Sequence, residues 1–351
     1  MKKLFILMVV ISGCSKEIDY EQDAGRIEQG SHTSIQAPVI FPDQIHFTQF
    51  GLYPEGIAFD KFNDRFLVSS FGQGPIGTPF YGTGTIGAVA LNGDYTPLIH
   101  DPELKSILGL HIDEARKRIV VAVTDGWVGN VAKVGVYDLQ SGRRIWLIDL
   151  AALHPGGVHL ADDLTIDPQG NIYITDTRSP IIYKVDVNGQ ASVFFENDLF
   201  AKPAVFAYYW VGFNGIVYNN NGFLLVAFYA GSFVGKPSLV KIPVNDPQNF
   251  SVVQLDVPIA SPDGLLLSRD GKDLIIVDNK FFAAPGEIIH MSSNDKWVSA
   301  KRIESFTTGL TFPTTATTNG TDVFVLYSFI GVPLKSEFII QKMPFENINS
   351  F

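Results

Sequence analysis

Four oxygen-bearing side chains, Glu55, Asp162, Asn214 and Asp263, occupy matching places in a repeated pattern, and together they could hold a hard cation. Each precedes a small or polar residue and then an apolar run, as in Glu55-Gly56-Ile57-Ala58-Phe59 and Asp263-Gly264-Leu265-Leu266-Leu267. Leu108-Gly109-Leu110 and Thr314-Thr315-Ala316 complete the column, so one position recurs six times at intervals of 49 to 54 residues. Carboxylates crowded at one place repel, and some protonate unless a cation removes the penalty. A donor set made of oxygens, with no cysteine or histidine cluster beside it, favours calcium or magnesium over zinc. Asp or Asn before glycine is also an ordinary turn former. Turn chemistry accounts for any one of these positions, and the cation accounts better for four in one column.

The column needs a scaffold that brings its members to one point. A period near 50 residues built from short strands predicts a propeller, one four-stranded blade per repeat. The expected fold is therefore all-β, a six-bladed β-propeller over residues 38–351. Each repeat has a second strand rich in β-branched and aromatic residues, such as Ile172-Tyr173-Ile174-Thr175 and Phe223-Leu224-Leu225-Val226. Turn signals precede these strands, such as Asp167-Pro168-Gln169-Gly170 and Asn219-Asn220-Asn221-Gly222. The sixth repeat ends before a fourth strand is complete. An open ring would leave an unpaired edge. The segment Gln44-Ile45-His46-Phe47-Thr48 is predicted to supply the missing strand and close the last blade.

Composition agrees with one large β domain. The 351 residues are 46% hydrophobic and 18% charged, enough apolar content for a large core. The 32 glycines and 20 prolines suit a chain with many turns. A net charge of −10 repels phosphate backbones, and no basic stripe interrupts it, so nucleic acid is excluded as an expected partner.

The N-terminus reads as a processing signal. Met1-Lys2-Lys3 precedes an apolar run, Leu4 to Ile11, too short to span a bilayer. Ile11-Ser12-Gly13-Cys14 then resembles a bacterial lipobox, and Cys14 is the only cysteine of the chain. The expectation is a lipoprotein signal peptide at 1–13, lipidation of Cys14, and a polar tether over 14–37. Membrane contact would then be by lipid anchor only. Ser15 lacks the aspartate that often marks inner-membrane retention, which points to the outer membrane of a bacterial cell envelope. With one cysteine, disulfides are excluded.

Three segments also resemble the metal-ligand motifs of the SMP-30/gluconolactonase/LRE-like propellers. They are Pro54-Glu55-Gly56, Phe213-Asn214-Gly215-Ile216 and Ser261-Pro262-Asp263-Gly264-Leu265, in family order and spacing. The resemblance covers about residues 45 to 345. It implies a calcium-type divalent ion held by Glu55, Asn214 and Asp263, and hydrolysis of a small-molecule lactone or related ester. The family's third-blade Asn-Asp pair is Asp162-Asp163 here. The arginine of sugar-acid lactonases corresponds to Leu160, which argues against aldonolactones. The catalytic histidine of paraoxonase-like members corresponds to Leu108, so a histidine dyad is not implied.

The implied chemistry is metal-assisted hydrolysis, with either Asp263 or Asp162 as the base. Asp162 is also a candidate for contact with substrate. His159, three residues earlier, either assists there or packs within its loop. Tyr209, Trp210 and Phe281 are candidate walls of the substrate funnel, although aromatic clusters also serve packing between blades. The principal alternative to a hydrolase is a non-catalytic propeller in which the metal is structural and the funnel captures a ligand or partner. A strictosidine synthase-like condensing enzyme is a weaker third option, because Leu108 offers no acid.

Overall fold

The computed structural model describes residues 40–351 except 76, 83, 128–129, 203–210, 231–235 and 346–350. The chain divides into units 1–40 and 41–351. The expected leader, Cys14, the expected tether, Tyr209 and Trp210 all lie outside the described residues. Among the described residues no helix is long and apolar enough to cross a membrane.

Six sheets follow one another along residues 41–351. In blade 1, Ile57–Asp60, Arg65–Val68, Thr85–Ala90 and Tyr95–His100 pair in order. Blades 2 and 3 repeat this with first strands Ser106–Asp113 and Ala161–Ile166. Blades 4 and 5 begin with Phe213–Asn219 and Pro262–Leu267. Blade 6 begins with Pro313–Thr318. Hairpin turns make the antiparallel returns. Gly170, Gly222 and Gly271 take φ values of +91°, +84° and +74°, as the turn signals in the sequence require.

Burial follows strand position. Second strands such as Arg118–Thr124 and Phe223–Phe228 are buried along their whole length, because neighbouring blades cover both faces. That is why they read in sequence as unbroken apolar runs. Outermost strands are more exposed, and Arg144–Asp149 has no buried residue. Gln44–Thr48 buries Ile45 and Phe47 and exposes the residues between them.

This strand closes the ring as expected. It pairs antiparallel with Glu337–Lys342, with Ile45 opposite Ile340 and Phe47 opposite Phe338. The cluster it joins includes Phe66, Phe324, Leu326 and Phe338, so first and last blades share one core. The inner strands also meet across the closure, where Phe59 N–H donates to Thr317 Oγ1 at 3.2 Å. Blade 5 departs from the simple repeat. Its last strand, Ser299–Gly309, is long and pairs in parallel with Gln254–Leu255, giving a five-stranded sheet.

The first strands carry a regular defect. Register breaks between Ile107 and Leu110, Ala161 and Leu164, Phe213 and Ile216, Pro262 and Leu265, and Pro313 and Ala316. The two residues inside each break are the first column position and its successor. A bulge bends its strand and re-aims a side chain. The same bulge in five blades turns the column toward the axis.

Candidate functional site

All six column residues, Glu55, Leu108, Asp162, Asn214, Asp263 and Thr314, line one cavity of about 730 Å³ including its open mouth. Close approach of the inner strands forms its floor. A Cβ on Gly56 would lie 2.6 Å from the Leu108 carbonyl oxygen, and one on Gly215 would lie 2.1 Å from that of Asp263. Glycine is therefore required at these positions for the strands to converge so tightly. In blades 3 and 6 the equivalent residues keep side chains, Asp163 and Thr315, which become cross-braces. Asp163 Oδ2 accepts from Ile216 N–H at 3.1 Å, and its Oδ1 from Leu164 N–H at 2.8 Å.

The floor is acidic and shielded from solvent. Glu55, Asp162 and Asp263 are all buried. Glu55 Oε1 meets the Thr315 hydroxyl at a long 3.5 Å, and Glu55 Oε2 has no hydrogen-bond partner. Asn214 Oδ1 also lacks a partner. Asp263 Oδ2 accepts from Asn279 Nδ2 at 2.7 Å, and Asn279 Oδ1 in turn accepts from Phe281 N–H at 2.9 Å. Asn279 thus ties the orientation of Asp263 to the funnel wall. Asp162 accepts from the Thr177 hydroxyl.

These surroundings favour protons. Burial raises the Asp263 pKa to about 8, Asp163 adds repulsion, and hydrogen bonds from Asn279 and Asn214 oppose the rise. Burial, then the charges of Asp263, Asp162 and Asp163, push Glu55 well above the ordinary glutamate range. Burial, then Asp263, Asp163 and Asp176, do the same to Asp162. Buried oxygens without donors beside carboxylates that resist ionisation are what a bound cation relieves. Among the described residues no three His, Cys, Asp or Glu side chains form a ready-made metal cluster. The expected set of Glu55, Asn214 and Asp263 has two carboxylates and one amide, so it does not call for such a cluster. The two orphaned oxygens fit an oxygen-preferring ion.

The other expected site residues divide. Phe281 lines the funnel, at the strained backbone φ of +41°. His159 is not among the funnel-lining residues. Its Nδ1 meets Asp176 Oδ2 at 2.7 Å, and its Nε2 meets the His154 carbonyl at 2.9 Å. The bond to Asp176 raises its pKa, and the ring is committed on both sides, Nδ1 to the end of strand Ile172–Asp176 and Nε2 to its own loop. This is the packing role, one of the two expected for it.

Several lining residues do not stand out in the sequence. Phe71, Trp127, Arg178 and Ile330 line the funnel beside the expected Phe281, and all five lie two or three residues past the end of their blade's second strand. They form a second column, which the same repeat alignment contains. Leu108, Leu160, Val211 and Phe312 extend this mostly apolar wall. Phe71 and Trp127 pack edge to face, with ring centres 5.0 Å apart.

No family model and no curated protein sequence matches the chain. Solved structures do. The Malassezia sympodialis allergen Mala s 1 is similar over 86% of this chain and 96% of its own, at 16% identity and a TM-score of 0.65. A gluconolactonase from Xanthomonas campestris is similar over 85% and 89%, at 13% identity and a TM-score of 0.55. Virginiamycin B lyase from Staphylococcus aureus is similar over 86% and 98%, at 13% identity and a TM-score of 0.51. This chain is thus a six-bladed β-propeller of the fold shared by the gluconolactonase and the lyase, in keeping with the resemblance carried by its motifs.

Proposed function

We propose that the chain is a divalent-cation-dependent hydrolase of a lactone or related ester, with its active site in the funnel. The observation that carries this reading is the pairing of two orphaned oxygens, Glu55 Oε2 and Asn214 Oδ1, with carboxylates whose pKa values are raised at the floor of an apolar funnel. Fold likeness to a gluconolactonase adds support but does not assign chemistry by itself.

Glu55, Asn214 and Asp263 would hold the ion, calcium by the resemblance. Bound there, it supplies positive charge that polarises an ester carbonyl and stabilises the developing oxyanion. Asn279 and Asn214 orient Asp263 through its carboxylate oxygens. Asp162 accepts a proton as water adds its hydroxyl to the acyl carbon. The acyl–oxygen bond breaks, and the leaving alkoxide takes the proton from Asp162. Asp263 is already bonded by two amides, whereas Asp162 has the Thr177 hydroxyl, so Asp162 is the better placed of the two expected bases. Phe71, Leu108, Trp127 and Phe312 keep bulk water from the floor.

A panel of lactones and aryl esters tests this, assayed on calcium-loaded and chelated protein. Turnover is expected only with the cation, and Asp263→Ala should abolish it. Tight cation binding with no turnover on any member would instead support the non-catalytic binding propeller.

The proposal includes a place. The lipobox-like Ile11-Ser12-Gly13-Cys14 supports tethering of the hydrolase at a bacterial envelope. Metabolic labelling with a fatty acid in a bacterial host should mark the wild-type chain and not Cys14→Ser. Equal labelling of both would remove the anchor from the proposal.

A further inference from the structure

We infer that an apolar groove between blades 5 and 6 holds a hydrocarbon chain, so that the substrate is a lactone or ester bearing an aliphatic tail; this rests on the hydrolase reading above. The groove has a volume of about 550 Å³ including its open mouth, and Ala284, Leu310, Phe312, Phe329 and Val332 supply its walls. It adjoins the funnel. Asn279 and Phe312 line both cavities, and Ile330 lines the funnel while its neighbours Phe329 and Gly331 line the groove. Phe281, on the funnel wall, lies 6.4 Å from Phe312 between ring centres, so one aromatic surface leads from the funnel to the groove.

The chemistry of the walls selects an apolar occupant. Asn279 supplies the only polar side chain among the described lining residues, and its amide is bonded to Asp263 and to Phe281 N–H. A sugar or a charged group placed there would lose water without gaining partners. A hydrocarbon chain gains instead, because it would cover Leu310 and Val332, which are 73% and 41% exposed. The backbone points the same way. Among the described residues ten non-glycine residues have positive φ, and five of them, Lys280, Phe281, Phe312, Phe329 and Leu334, lie in the three loops that form the groove. That conformation is unfavourable for bulky side chains, and such strain gathers at ligand clamps. Here it falls on the aromatic wall itself, with Phe312 and Phe329 at +49° and +52° and Phe281 at +41°. A tail that leaves an ester carbonyl at the funnel floor passes Phe312 to reach the groove.

The test uses the calcium-loaded full chain and a series of esters, 4-nitrophenyl acetate, butyrate, hexanoate and octanoate. In the wild type kcat/KM should rise about threefold for each methylene that leaves water. Leu310→Asp puts a charge on the groove wall at an exposed position, so the core is kept, and it should cut the octanoate-to-acetate ratio of kcat/KM about tenfold. Leu310→Met should retain most of that ratio. Calorimetric binding of octanamide and acetamide gives a second readout that needs no turnover. Octanamide should bind the wild type more tightly, and Leu310→Asp should remove most of the difference. A flat series in the wild type would overturn the inference. So would a ratio and an octanamide affinity unchanged by Leu310→Asp, which would place the tail within the funnel. If the wild type turned over none of the esters, the hydrolase reading would fail, and the calorimetry would still decide the role of the groove.

Discussion

Removing divalent cations is expected to lower the melting temperature of the protein, and to lower it more at pH 8 than at pH 5. The cause is the buried acidic floor. The Asp263 pKa in the fold is about 8, raised chiefly by burial, and Glu55 and Asp162 are raised in the same direction. In the unfolded chain such carboxyls titrate near 4. Between those values the cation-free fold binds protons that the unfolded chain has lost. Stability is therefore complete below about pH 4, declines as pH rises through the window, and is lowest above about 8. For Asp263 alone the loss is on the order of 5 kcal/mol at most, several degrees of melting temperature. A bound cation competes with those protons, so its stabilisation grows across the same window. Glu55→Gln removes one of the repelling charges and should shrink the effect of chelation. Calorimetry at the two pH values, with calcium or after exhaustive chelation, checks this. Identical melting under all four conditions would remove the cation from the proposal.

The repeat made the floor legible from sequence and left much of the wall obscure. Glu55, Asp162, Asn214 and Asp263 share a position because every first strand enters the ring the same way. Bulges after Ile107, Ala161, Phe213, Pro262 and Pro313 preserve that aim. Closure by Gln44–Thr48 was legible from the missing strand and the need to cover an edge. Asn279 and Arg178 were harder to read. Their places depend on where a second strand delivers its last residues, and the intervening turns vary in composition. His159 shows the same limit from the other side. Its nearness in sequence to Asp162 suggests a shared site, yet Asp176, paired across the hairpin, draws its ring away. The parallel pairing of Gln254–Leu255 with Ser299–Gly309 joins segments more than forty residues apart and has no local signal.

Asp162→Asn is expected to lower kcat/KM about 10²- to 10⁴-fold, the usual worth of a positioned general base, while the cation still stabilises the fold. The substitution keeps the size of the side chain and a carbonyl oxygen that can accept from Thr177, so the packing of the floor is preserved. It removes a buried charge that Asp263, Asp163 and Asp176 all oppose. The cation-free variant should therefore melt higher than the cation-free wild type above about pH 5, although it is less active. That opposition separates a base from a structural residue, whose loss would lower stability and activity together. It also separates Asp162 from Asp263. Asp263→Asn should lose activity and weaken calcium-dependent stabilisation at once, because Asp263 would hold the ion. The pH profile supplies a further distinction. A cation lowers the pKa of a nearby carboxyl, so activity in the calcium-loaded wild type should rise with pH as Asp162 ionises, and Asp162→Asn should flatten that limb. An Asp162→Asn variant with undiminished turnover and the same acid limb would transfer the role of base to Asp263, the other base the sequence offers.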